Sequence, residues 1–88
     1  DYTLVHRHTI SGHNDAVQDV LFVTDREGGE LLVSAGLDRR IMFWDLTTYR
    51  CVKCLTGHGG GINCLAYDGE SQVFSGGYDS QVFVWDVH

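Results

Sequence analysis

The sequence predicts an all-β fold made of two repeated, four-stranded antiparallel sheets stacked on one another. Three observations carry that prediction. Motifs recur at a spacing of 41–45 residues. The segments between them are short runs of branched and aromatic residues bounded by Gly, Asp and Ser, the composition of strands and turns. Several runs, such as Ile41-Met42-Phe43-Trp44, are apolar at nearly every position and so need cover on both faces.

The repeat comes first. Ile10-Ser11-Gly12-His13 returns 45 residues later as Leu55-Thr56-Gly57-His58. Ser34-Ala35-Gly36-Leu37-Asp38 returns after 41 residues as Ser75-Gly76-Gly77-Tyr78-Asp79, and Ile41-Met42-Phe43-Trp44-Asp45 returns at the same offset as Val82-Phe83-Val84-Trp85-Asp86. Between these anchors Val17 matches Ile62, Val20 matches Leu65 and Phe22 matches Tyr67. The change of offset falls in one place, where Thr24 to Glu30 is longer than Asp68 to Ser71. A length change confined to one Gly/Glu-rich turn marks a repeat of structure.

The elements follow in order. Strands are expected at Leu4–Ile10, Ala16–Val23, Leu31–Ser34 and Ile41–Leu46, then at Cys51–Leu55, Ile62–Tyr67, Val73–Ser75 and Val82–Val87. Stacked blades of a propeller supply the two-sided cover that such apolar strands require; a lone sheet does not.

Gly-His followed some thirty residues on by Trp-Asp, twice, resembles the WD-repeat β-propeller family over essentially the whole chain. That resemblance implies β-propeller blades in two WD-repeat units, an incomplete propeller when taken alone. Each unit of such proteins runs from the outer strand of one blade through the three inner strands of the next. Residues 1–10 are then the outer strand (Thr3–Ile10) of a preceding blade, residues 11–55 the first unit, and residues 56–88 a second unit lacking its outer strand. The start at Asp1 in place of Met agrees with a piece cut from a longer chain.

The resemblance also implies a role for residues that look catalytic. His13, Ser34 and Asp38 could make a base, a nucleophile and an orienter. In the family pattern Asp38 accepts from His13, His13 bonds Ser34, and Ser34 meets the indole N–H of Trp44; the second set is Asp79, His58, Ser75 and Trp85. A device that recurs once per blade reads as a structural hydrogen-bond network, since an enzyme needs one active site. No catalytic residue is expected. His58-Gly59-Gly60-Gly61 resembles an esterase oxyanion motif, but no Gly-x-Ser-x-Gly accompanies it, and no Lys-Ser/Thr follows to make a phosphate cradle.

Composition narrows the function further. The formal charge of −6, with only six Lys and Arg, argues against nucleic acid as a partner. No apolar run is long enough to span a bilayer, and no signal-peptide pattern opens the chain. Three cysteines make no disulfide framework, and there is no Asn-x-Ser/Thr acceptor, so an intracellular setting, cytoplasmic before cytoskeletal or nuclear, is expected. Cys51-Val52-Lys53-Cys54 is a lone Cys-x-x-Cys on a strand. Its residues point to opposite faces and a second ligand pair is not evident, so neither metal nor cofactor is expected.

What remains is binding. Three positions per blade resemble the family's contact positions on the rim: Ala16, Gln18 and Leu37, then Gly61, Asn63 and Tyr78. Tyr78 is the best single anchor, with large area and a polar tip. The expected function is a non-catalytic interaction scaffold that holds a protein or peptide on its rim, with neighbouring blades as further partners. The alternative is a self-assembling building block whose copies close a six- or eight-bladed ring. Asp25, Glu27, Glu30, Asp68 and Glu70 are expected on the opposite rim.

Overall fold

Seven antiparallel strands form two sheets in a computed structural model that describes residues 4–87. The first sheet holds β1 (Val17–Thr24), β2 (Glu30–Gly36), β3 (Arg40–Asp45) and β4 (Cys51–Thr56) in that spatial order. The second holds β5 (Ile62–Tyr67), β6 (Gln72–Gly77) and β7 (Val82–Asp86). Each sheet is a meander, with neighbours in sequence paired in space, and the described residues contain no helix. The register repeats: Val20 faces Ser34 across β1–β2, and Leu65 faces Ser75 across β5–β6. Both inner pairs carry a one-residue irregularity at the same place, between Val17 and Asp19 and between Ile62 and Cys64.

One expected strand is not formed. Residues 4–16 include no strand, although Leu4–Ile10 has strand composition; Thr3 lies outside the described residues. A strand needs a ladder to donate to and accept from. β3 is already paired on both edges, by β2 and β4; its counterpart β7 has a free edge, but residues 4–10 do not pair with it.

The turns explain why the other strands end where they do. Asp25 Oδ1 accepts from the N–H groups of Glu27 (2.9 Å) and Gly29 (2.8 Å) in the β1–β2 hairpin. Asp68 Oδ1 does the same in β5–β6, taking Glu70, Ser71 and Gln72 at 2.8–3.0 Å. Such side-chain turns are the usual work of Asp. Two acidic residues of the lower hairpins are therefore turn staples. Asp45, of the first Trp-Asp pair, accepts from Thr47 at 2.7 Å and Thr48 at 3.2 Å and starts the β3–β4 turn, in which Tyr49 takes a left-handed φ of 59°.

The core lies between the two sheets. Val23, Val33, Ala35, Ile41 and Phe43 of the first meet Ile62 and Val73 of the second, with Leu21, Leu65, Tyr67 and Trp85 packed around them. Side chains alternate across a strand, so each sheet has a second face turned away from the seam. On the first sheet Met42 and Trp44 of that face are still 7% and 4% exposed, and the rest is more open, with Val20 and Phe22 52% and 61% exposed; on the second it shows Val82 and Val84, 72% and 60% exposed. By the repeat offset, Val82 and Val84 are the counterparts of Ile41 and Phe43. The same positions are core in the sheet that has a neighbour and bare in the one that lacks it.

Two polar links also cross between the sheets. Leu65 N–H donates to Asp19 Oδ2 at 2.8 Å, and Thr24 N–H reaches the Tyr67 hydroxyl at 3.4 Å.

Candidate functional site: two linked networks and a rim

The eight polar and indole residues singled out in the sequence lie in two sets of four. In the first sheet, His13 Nδ1 is 3.0 and 2.9 Å from the two oxygens of Asp38, and its Nε2 is 2.7 Å from Ser34 Oγ. Trp44 Nε1–H donates to the same Oγ at 2.8 Å. In the second, His58 Nδ1 is 3.2 and 3.0 Å from Asp79, His58 Nε2 is 2.7 Å from Ser75 Oγ, and Trp85 Nε1–H donates at 2.8 Å. An indole nitrogen can only donate and a carboxylate can only accept, which assigns the order. The Trp N–H donates to the Ser oxygen, the Ser O–H donates to His Nε2, and His Nδ1–H donates to Asp.

Each Asp does more than hold its His. Asp38 also accepts from the backbone of Asn14 (3.0 Å) and Arg40 (3.2 Å), and Asp79 accepts from Gly59 (3.0 Å) and Gln81 (3.2 Å). One carboxylate thus ties the loop before the inner strand to the turn between the next two strands. Burial pushes the Asp38 carboxyl up, but the bonds from His13, Asn14 and Arg40 outweigh it and hold the group below 3.8. Asp79 is likewise held low: burial opposes, and the bonds from Gly59, His58 and Gln81 prevail. No buried side-chain N or O lacks a partner among the described residues.

The two sets are covered by different neighbours. Ser75 and His58 are 0% and 5% exposed, because their face meets the first sheet. His58 also packs on Phe83, at 4.1 Å between ring centroids. The first set lies on the face turned away from the second sheet and is buried as well, Ser34 and Trp44 being 5% and 4% exposed. Beside it, Ile10, Val17, Val20 and Leu32 border a small cavity of about 130 Å³ together with His13, Ser34 and Trp44. Gly12 lies flat on the Trp44 indole, where a Cβ would come within 2.6 Å of Cη2.

Four of the six rim positions are joined in pairs by backbone bonds. Leu37 N–H donates to Ala16 C=O at 2.9 Å, and Tyr78 N–H donates to Gly61 C=O at 2.8 Å. Leu37 is half-buried against Gly61: a Cβ there would lie 2.8 Å from Leu37 Cδ2. Leu37 therefore fills the seam between the sheets. Ala16, Gln18 and Asn63 are exposed, and Tyr78 is 65% exposed. Cys51, Cys54 and Cys64 are free thiols. Sequence reasoning missed Asp19. Its signal was a carboxylate inside an apolar run, Val17–Val23, with Cys64 at the matching place in the second unit.

The two sheets, their shared register and the duplicated Asp–His–Ser–Trp sets describe one repeated blade. The family model for the WD domain, G-beta repeat (WD40), matches residues 4–45 and again residues 49–86. The chain belongs to the WD40 repeat family. It is 38% identical over 81 residues to nuclear distribution protein nudF of Aspergillus niger, covering 90% of this chain and 18% of that protein. It is 33% identical to a ribosome biogenesis protein WDR12 homolog of Anopheles gambiae, covering 93% of this chain and 20% of that protein. With human DDB1- and CUL4-associated factor 5 it shares 34% identity over 94% of its own length and 9% of the relative's. The fold matches a chain of the Chaetomium thermophilum polycomb repressive complex 2 with a TM-score of 0.79 at 27% identity, covering 85% of this chain and 16% of that one. The WD40 chain therefore spans a fifth or less of the relatives it resembles, as one stretch of blades would.

Proposed function

We propose that this WD40 segment is a non-catalytic interaction scaffold that presents one rim, built from the loops before β1 and β5 and the β2–β3 and β6–β7 turns, to a protein or peptide. Tyr78 carries the reading. Its ring is largely exposed, yet its N–H is bonded to Gly61, and the next residue, Asp79, is held by His58, Gly59 and Gln81. An aromatic side chain on a pre-ordered turn binds without a large ordering cost. Gln18, Asn63 and Ala16 complete the exposed surface beside it, and Leu37 supports it from within the seam.

The Ser–His–Asp sets support a non-catalytic reading in spite of their resemblance to a triad. A nucleophile must present its oxygen to a substrate carbon. Ser75 is wholly buried and one side of each Ser oxygen is occupied by an indole N–H. The formal charge of −6 disfavours nucleic acid, and the thiols fit an intracellular setting. Residues 1–10 belong, in this reading, to the edge of a preceding blade.

A second reading rests on the open faces. The bare face of the second sheet is the repeat counterpart of the first sheet's buried face, so copies of the unit could stack head to tail and close a six- or eight-bladed ring.

Hydrogen exchange with and without the bound partner separates these readings. Protection at residues 16–18, 61–63 and 78 supports the scaffold. Protection confined to β1 and β7 favours assembly, and labelling of Ser34 or Ser75 by a fluorophosphonate would overturn the non-catalytic reading.

A further inference from the structure

The two blades differ in charge on that rim. Asn14, Asp15, Leu37, Asp38, Arg39, Arg40, Thr56 and His58 line a groove of about 530 Å³ where the blades meet. Arg39 and Arg40 occupy the β2–β3 turn; the matching residues of the β6–β7 turn are Ser80 and Gln81. The backbone asks the same of both turns, since Arg39 and Ser80 share a left-handed φ, 69° and 66°. That conformation favours Gly, Asn or Asp, so a guanidinium there does not serve the turn. Six basic residues occur in the chain, and two of them stand side by side here. Among the described residues no carboxylate lies within ion-pair distance of either guanidinium.

The groove's own acids are committed. Asp38 is 5% exposed at its side chain and accepts from His13, Asn14 and Arg40. Asp15 is exposed and accepts from Ala16 N–H at 2.8 Å. It is the outward negative charge of the lining, against two positive ones.

We infer that this inter-blade groove takes an acidic peptide segment, with a carboxylate of the ligand held by Arg39 and Arg40. The inference rests on the rim reading above and adds the ligand's charge. Guanidinium forks match carboxylates in geometry as well as charge, and the half-buried Leu37 beside them offers an apolar floor for the peptide backbone. Asp15 sets the polarity of the site, favouring an acidic residue over Arg39–Arg40 and disfavouring one beyond it.

Short synthetic peptides with a central Glu run, and the same peptides with Gln in place of Glu, are titrated into the intact protein by fluorescence anisotropy. The Glu peptide should bind about tenfold or more tightly than the Gln peptide, the scale of a charge-assisted hydrogen bond. Arg39→Gly with Arg40→Gln should bring it to the Gln level, and Asp15→Asn should tighten it. Gly suits the left-handed position, so the double variant should keep its thermal midpoint, which is measured alongside. Tyr78→Ala should weaken both peptides alike. Equal binding of the two peptides, no binding of the Glu peptide, or Glu binding that survives the double variant overturns the inference. Equal binding that still depends on Tyr78 leaves the rim reading standing while this one falls.

Discussion

The carboxylate of Asp19, on β1 of the first blade, accepts the backbone N–H of Leu65, on β5 of the second, at 2.8 Å. It is the shorter of the two polar links across a largely apolar seam, and it makes the relative position of the two inner strands specific where hydrophobic packing alone would tolerate sliding. The matching position of the second blade is Cys64, whose thiol is a weak acceptor.

Asp19→Ala should therefore loosen one seam only. Leaving a half-buried amide without its acceptor costs about 1–3 kcal/mol. The expected signature is faster hydrogen exchange at Leu65 with unchanged exchange within the β2–β3 ladder. Unchanged Leu65 protection would show that packing alone holds the blades.

The two networks should differ in cost. His13→Ala and His58→Ala each strand a Ser hydroxyl and an Asp carboxylate, about 1–3 kcal/mol per orphaned group. His58→Ala should be the more damaging, because Phe83 also loses its ring contact. Chemical denaturation of both variants checks the order; an equal or reversed order contradicts it.

Acid should weaken both blades through the same residues. Asp38 and Asp79 titrate below 3.8 in the folded chain, so the unfolded chain takes up their protons first as pH falls. Their stabilisation is complete above the ordinary carboxylate value and is lost as pH drops through the lower, folded values. Urea midpoints followed from neutral pH into that range should fall for the wild type and fall less for Asp38→Asn with Asp79→Asn. Parallel curves would assign acid sensitivity elsewhere.

Gly12 and Gly59 offer a contrast between the equivalent loops before β1 and β5. A Cβ on Gly12 would press into the Trp44 indole, whereas one on Gly59 meets nothing within 4 Å. Gly12→Ala should lower the thermal midpoint and Gly59→Ala should leave it nearly unchanged. Similar midpoints would mean that the indole yields.

What the sequence made legible follows from physics local to a strand or a turn. Ile62–Tyr67 is a strand at its expected bounds, and Arg40–Asp45 is within a residue of expectation, because branched and aromatic runs between turn residues specify themselves. The repeat aligned the networks in advance, since Gly-His and Trp-Asp keep their offsets. Leu4–Ile10 misled because composition does not supply a neighbour to pair with. Asp19 escaped notice because its partner is a backbone N–H 46 residues away, which no pattern of residue types announces. Leu37, expected as a contact residue, lies against Gly61; only the stacking of blades shows what a missing Cβ admits.

The most direct test of the scaffold reading compares two tyrosines. Tyr78 stands on the rim with its turn bonded to Gly61. Tyr49 lies in the β3–β4 turn at the other end of the sheet, 41% exposed and stacked on His8 at 4.0 Å. The affinity of the protein for its isolated native partner is measured for Tyr78→Ala and Tyr49→Ala against the wild type. Tyr78→Ala should weaken binding about tenfold or more, as an aromatic anchor does, and Tyr49→Ala should leave it almost unchanged. Equal losses, or a larger loss from Tyr49→Ala, would contradict the account and place the binding surface on the opposite rim.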